Sequence, residues 1–253
     1  MNYSMNEQPP EPLRTETVRV AVRLPAKTPA VTYVILGVTI AVYLAQMASQ
    51  QLLGVDLPAA YGMKDNASII QGQLWRLFTP ALLHASLTHI GFNMYALYIF
   101  GRRLEQVYGH ERFLLLYVLG AFAGNVASFW MSAAPSLGAS TAVFGLVAAE
   151  GVYFFQNRKI YRGQATSVLY NVGFIIVVNL FLGFATTGID NWGHLGGLVG
   201  GAVFAFLAGP LLEIEGFAPD VVLADKRGGM LPWLVAAVEG AGIALIASIK
   251  IFS

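Results

Sequence analysis

The sequence has no cysteine and few charged residues, and each shortage excludes classes of protein. Without cysteine the chain has no disulfide scaffold, no thiolate metal site and no cysteine nucleophile. Charged residues make up 11% of its 253 residues, whereas soluble domains carry about 25%. The 15 basic and 14 acidic residues leave a net charge of +1, so no overall electrostatic force favours binding to nucleic acid.

Hydrophobic residues account for 56% of the chain and are concentrated in long stretches. A membrane-spanning helix needs about 20 mostly apolar residues. Seven stretches approach that length: residues 31–49, 81–101, 113–131, 140–156, 167–184, 193–211 and 231–249. The sequence therefore predicts an all-α, polytopic membrane helix bundle. Residues 1–30 hold five prolines and are predicted to form a disordered tail.

The distribution of Lys and Arg predicts the orientation of this bundle. Twelve basic residues fall in the tail and in the connections after the second, fourth and sixth stretches. Only Lys64, Arg76 and Lys250 fall on the opposite side. We therefore expect the N-terminus in the cytoplasm and, with seven spans, the C-terminus outside.

Several polar residues are predicted to lie within the membrane, where each is costly and is therefore a functional candidate. His84 and His89 fall in the second stretch, and Asn93 follows one helical turn after His89. His194 begins the sixth stretch, and Ser140 begins the fourth, where free backbone N–H groups favour a developing anion. A serine near a histidine is the arrangement that nucleophilic catalysis requires.

Small residues on two stretches offer a way for Ser140 and His194 to meet. The sixth stretch carries a ridge of Gly193, Gly197 and Gly201 that allows close helix packing. The fourth stretch offers Ala139, Ala142 and Gly145 in return.

Simpler interpretations of the same residues remain open at this point. Ser140 is equally compatible with a plain N-cap, and the glycine ridge with packing alone. A metal site is disfavoured because His84 and His89 lie about 140° apart around a helix. An α/β-hydrolase elbow is disfavoured because Ala142 stands where that motif has glycine.

Taken together in this order, the motifs resemble the rhomboid family of intramembrane serine proteases. The motifs are Trp75-Arg76, His84-x4-His89-x3-Asn93, Glu105, Gly138-Ala139-Ser140 and Gly193-His194. The resemblance covers about residues 31–211 and implies a six-span rhomboid-like core. Residues 212–253 would then hold a connection and one extra C-terminal transmembrane helix.

The resemblance also implies a role for each matching residue. Ser140 would be the nucleophile and His194 its general base, in a dyad without an obligatory carboxylate. His89, Asn93 and the backbone N–H of Ser140 would form the oxyanion hole. The supporting residues would be His84, Gly138, Trp75, Arg76, Glu105 and Phe144. No metal or other cofactor is implied, and the expected substrates are single-span membrane proteins in the lipid bilayer.

Some residues depart from the family pattern or fall outside it. Thr141 stands where the family often has glycine, and Phe144 stands where a tyrosine often stacks beside the histidine. Asp190 lies four residues before His194 but is not expected to form a triad. Glu239, near the middle of the seventh stretch, is expected to face the bundle and to be either protonated or hydrogen-bonded, with Asn179 as one candidate partner.

Two rival functions remain after these residues are weighed. An inactive rhomboid-like protein would bind transmembrane clients without cutting them, although such relatives typically lack the serine or the histidine. A transporter or channel would require intramembrane charges along a path and an internal repeat, and neither is visible. The expected location is a bacterial inner membrane, with an organelle as the alternative, and the oligomeric state is left open.

Overall fold

A computed structural model describes residues 28–216 and 221–253 of the chain. The predicted disordered tail lies outside these residues, apart from positions 28–30. The helices are α1 (Ala30–Leu53), α2 (Leu57–Gly62), α3 (Asn66–Ile70), α4 (Leu87–Ala96), α5 (Arg102–Tyr108), α6 (His110–Met131), α7 (Ser140–Gln156), α8 (Arg158–Tyr161), α9 (Gly163–Ala185), α10 (Asn191–Ala208) and α11 (Leu231–Phe252).

Four of the described helices are long and apolar enough to cross a membrane: α1, α6, α9 and α11. Large apolar side chains on their surfaces are exposed, including Val34, Leu44, Phe174 and Leu245. Exposed apolar faces of this extent need a hydrocarbon environment. The protein is therefore a helical integral membrane protein.

The second predicted span begins later and ends later than the sequence indicated. Residues 79–82 form a short 3-10 turn, and the helix starts at Leu87 because the Ser86 side chain caps it by accepting from His89 N. It continues through a π-helical turn at Leu97–Gly101 into α5. The expectation of a span at 81–101 was therefore wrong at both ends, and His84 lies in the connection before the helix.

Three central helices, α6, α7 and α10, pack at backbone contact through small residues. A Cβ added at Gly197 would overlap the main chain of Thr141, and one added at Gly201 would overlap Gly145. The predicted glycine ridge on α10 is thus confirmed. Its partners on α7 are Thr141 and Gly145, whereas Ala142 turns towards Gly120 of α6.

Helix α1 is tied to the rest of the bundle near both of its ends. At its start, the buried Glu105 carboxylate of α5 accepts from Val31 N at 2.8 Å, Thr32 N at 2.7 Å and Thr32 Oγ1 at 2.6 Å. Near its other end, the buried Gln46 amide pairs with the His84 main chain, at 3.0 Å from His84 N and 3.3 Å from His84 O.

The fold is mostly helical, as the sequence predicted, and a short β-hairpin is an addition that the sequence did not indicate. Strands β1 (Leu212–Glu215) and β2 (Val222–Asp225) pair antiparallel after Gly209-Pro210 ends α10. Arg112 Nη1 of α6 donates to the Asp225 carboxylate at 2.8 Å, which attaches the hairpin to the bundle. Directly after β2, a hydrogen bond to Glu215 raises the pKa of the exposed Lys226.

Helix α11 packs mainly against α6 and α10. Trp130 Nε1 donates to Ile246 O at 3.0 Å, and Lys250 Nζ donates to Trp130 O at 3.0 Å. The Glu239 carboxylate oxygens are buried beside Gly200 and have no hydrogen-bond partner among the described residues. Asn179, the candidate partner, does not bond to Glu239, because the Asn179 amide donates to its own helix at Ile175 O.

Candidate active site

Ser140 is the first residue of α7, directly after a constrained segment of chain. Gly138 has φ +141°, a conformation that side chains rarely allow, and its N–H donates to Pro80 O at 2.9 Å. The backbone N–H of Ser140 belongs to the first helical turn, where N–H groups lack acceptors within the helix. The serine therefore combines a hydroxyl with a site that favours negative charge.

The imidazole of His194 meets the Ser140 hydroxyl across the contact of α7 with α10. His194 Nε2 lies 2.9 Å from Ser140 Oγ, and the histidine is 8% exposed. The Phe144 ring stacks on the imidazole with centroids 4.2 Å apart and planes 10° apart. His194 Nδ1 has no hydrogen-bond partner among the described residues. The arrangement is a two-residue pair with an oriented imidazole.

His89 and Asn93 line the approach to the same segment from α4. The His89 ring lies so close to Gly138 that a Cβ there would be 2.8 Å from Nε2. Its Nδ1 accepts from Ala85 N at 3.4 Å, so in the neutral ring Nε2 carries the proton and faces the segment before Ser140. Asn93 is buried one turn later, and its Nδ2 donates to His89 O at 3.0 Å.

His84 supports the segment before the serine instead of facing the hydroxyl. It is 1% exposed, and its Nε2 accepts from Ala139 N at 3.3 Å. Its ring also packs edge-on against His89, with centroids 5.0 Å apart. One buried histidine thus touches both the chain that carries Ser140 and the ring of His89.

The other residues matched by the resemblance lie away from the hydroxyl and brace the surrounding chain. Trp75 Nε1 donates to Tyr61 O at 3.0 Å. The buried Arg76 donates to Met63 O and Ala60 O, both at 2.8 Å, and so holds the connection around α2. Glu105 caps α1 as described, and its Oε1 is 2.5 Å from His110 Nδ1.

Two buried polar residues beside the pair were not singled out from the sequence. Ser128 of α6 is fully buried and donates to the Asp190 carboxylate, and Lys64 is fully buried although it lies in the connection between α2 and α3. A single serine in an apolar helix and a single lysine in a loop belong to no sequence motif that would mark them as parts of a site. Only the packing of distant segments reveals their partners.

Comparison with known proteins identifies the family of the chain. A family model described as a rhomboid domain matches residues 71–211. The rhomboid protease GluP of Bacillus subtilis (strain 168) is 39% identical over 174 residues, which are 68% of this chain and 34% of GluP. The chloroplastic RHOMBOID-like protein 9 of Arabidopsis thaliana is 35% identical over 161 residues, 63% of this chain and 37% of that protein.

A second Bacillus subtilis relative, YdcA, is named as a candidate rhomboid protease. It is 31% identical over 202 residues, which are 77% of this chain and 94% of YdcA. The matched region therefore spans about a third of GluP and of the Arabidopsis protein, and nearly all of YdcA. The chain belongs to the rhomboid family.

Proposed function

We propose that the protein is an intramembrane serine endopeptidase that cuts membrane-anchored proteins in or beside their transmembrane helix. Rhomboid proteases are among its relatives, and at the level of the family the activity is intramembrane proteolysis. The observation that carries the proposal for this chain is the 2.9 Å separation of His194 Nε2 and Ser140 Oγ. That distance is a hydrogen bond suited to proton transfer.

The proposed reaction begins with general-base attack. His194 Nε2 takes the proton of the Ser140 hydroxyl while Oγ forms a bond to the scissile carbonyl carbon. Collapse of the tetrahedral intermediate breaks the C–N bond, and the imidazolium returns the proton to the leaving amine. Water, deprotonated by the same imidazole, then releases the acyl group and restores the hydroxyl.

The proposed oxyanion hole combines the Ser140 backbone N–H with His89 and Asn93. Nε2–H of the neutral His89 ring faces Gly138, and the Asn93 amide keeps one N–H beyond the bond to His89 O. Loss of one such donor typically lowers kcat about 10²- to 10³-fold. His84 and Phe144 would hold the serine segment and the imidazole in place.

The placement in the membrane is part of the same proposal. We assign six spans to a core of residues 31–211 and a seventh to α11, with α4 and α5 forming the second span. The distribution of Lys and Arg supports a cytoplasmic N-terminus and an outer C-terminus. We assign the protein to a bacterial inner membrane, with single-span proteins as substrates. No metal or other cofactor takes part in the proposed steps.

The test is cleavage of a single-span reporter by the purified full chain in liposomes. Ser140→Ala and His194→Ala are run beside the wild type, together with labelling of Ser140 by a fluorophosphonate. We expect wild-type cleavage and labelling, and the loss of both in each variant. A wild type that neither cuts nor labels would contradict the proposal and favour an inactive protein that binds transmembrane clients.

A further inference from the structure

A buried polar network connects the two halves of the candidate dyad. Its centre is Ser128 of α6, whose hydroxyl donates to the Asp190 carboxylate and lies 3.4 Å from the Ser136 hydroxyl. Asp190 immediately precedes α10, which carries His194. Ser136 lies four residues before Ser140. One side chain of α6 therefore reaches the segments that carry both reacting residues.

On the histidine side, Asp190 holds the first turn of α10. Its carboxylate accepts from Gly193 N at 2.9 Å, and its backbone carbonyl accepts from His194 N at 3.1 Å. The carboxylate does not bond to the imidazole, since His194 Nδ1 has no partner among the described residues. Asp190 therefore acts on His194 through the backbone and through Ser128, and not by contact with the ring.

On the serine side, Lys64 holds the connection that leads to α7. Lys64 N donates to Ser136 O at 2.9 Å, and Ser136 N donates to Lys64 O at 3.1 Å. Lys64 Nζ donates to Ser132 O at 2.7 Å and to Ala134 O at 2.9 Å. Burial lowers the pKa of Lys64 to about 8, and the nearby Asp190 carboxylate is the largest influence that opposes this shift.

We propose that Asp190, tied to α6 by Ser128, is a positioning residue that sets where His194 stands relative to Ser140. The inference rests on the proposed protease function. A plain helix cap would stabilise α10 without regard to the reaction. A positioning residue also controls the distance between His194 Nε2 and Ser140 Oγ. Because the hydrogen bond between these atoms must shorten and align as the reaction proceeds, loss of the positioning residue lowers kcat.

The experiment compares kcat and KM of Asp190→Ala, Asp190→Asn and Ser128→Ala in liposomes with one reporter. For Asp190→Ala we expect kcat to fall about 10- to 100-fold while KM changes less than twofold. Asn at this position still accepts from Gly193 N, and its amide donates to Ser128 Oγ, so we expect most of the rate to return. Ser128→Ala keeps the cap, loses the attachment to α6, and is expected to lower kcat about 10-fold.

Asp65→Ala is the matched control, because Asp65 caps α3 by accepting from Ser68 N at 2.9 Å without a contact to the dyad. Its kcat is expected to equal that of the wild type. The inference is overturned if Asp190→Ala and Ser128→Ala both keep wild-type kcat and lose only thermal stability. If Asp190→Ala fails to fold, the kcat of Ser128→Ala alone decides whether the inference holds. A wild type that neither cuts nor labels removes the proposed function, and the inference with it.

Discussion

An alanine at Gly124 of α6 tests whether main-chain packing sets the distance between His194 Nε2 and Ser140 Oγ. The added Cβ would lie 2.6 Å from Gly193 O and 2.6 Å from Thr141 Cβ. Those neighbours are adjacent in sequence to His194 and Ser140. Ordinary van der Waals contact begins at 3.4 Å, so each neighbour must retreat by about 0.8 Å. The methyl group thus enters where α6 meets the segments that carry the candidate dyad.

The size of the effect follows from the starting distance of 2.9 Å between His194 Nε2 and Ser140 Oγ. A displacement of about 0.8 Å along that direction lengthens the separation to about 3.7 Å, at which no hydrogen bond forms. A misplacement of about 1 Å costs about 10²-fold in rate. We therefore expect kcat to fall about 10- to 100-fold. Overpacking should also lower the free energy of unfolding by about 1–3 kcal/mol.

The assay is reporter cleavage in liposomes, with thermal unfolding and the rate of fluorophosphonate labelling of Ser140 measured in parallel. Gly120→Ala is the matched control: it lies one turn earlier on α6, and its Cβ would meet Gly145 Cα at an ordinary 3.4 Å. We expect that variant to keep its activity. If folded Gly124→Ala cleaves as fast as Gly120→Ala, main-chain packing does not set the distance and the reasoning fails.

Three further variants probe the supports of the site. Phe144→Leu removes a stacking contact of about 0.5–1.5 kcal/mol and should slow cleavage several-fold, whereas Phe144→Tyr should not; initial rates decide this. Glu105→Ala leaves three donors of Val31 and Thr32 without their acceptor, at about 1–3 kcal/mol for each buried group. It should lower Tm far more than Glu105→Gln. Lys250→Met removes a donor from the end of α6 and should lower the free energy of unfolding by about 0.3–1 kcal/mol, which a small drop in Tm would report.

The long helices were predictable because an apolar stretch of membrane length can form few structures other than a helix. Helix α7 covers Ser140–Gln156, the same residues as the predicted stretch. The start of the second span was missed because hydropathy alone does not locate a cap. Ser86 ends the connection by bonding to His89 N, and that polar contact outweighs the apolar run before it. The hairpin was missed because four-residue strands carry too little pattern.

The sequence motifs identified the candidate dyad itself, but the buried side chains that hold the surrounding segments in place could not be predicted. The motifs single out Ser140 and His194 without any structure, although their roles stay predictions. By contrast, Lys64 looks like an outward charge in the sequence, yet it is fully buried against carbonyl groups 68 and 70 residues away. Contacts at such separations depend on how the helices pack, and no local pattern encodes them.

The two attachments of α1 hold that helix to the rest of the bundle at two separate points. It is held by Glu105 at Thr32 and by His84 at Gln46, two points about 21 Å apart along the helix axis. Most of its surface is exposed, so the hydrocarbon thickness around it acts directly on its tilt. We therefore expect a change in tilt to move the main chain of His84, whose ring accepts from Ala139 N beside the serine. On the proposed function, cleavage would then depend on the thickness of the surrounding membrane through a helix that contributes no reacting group.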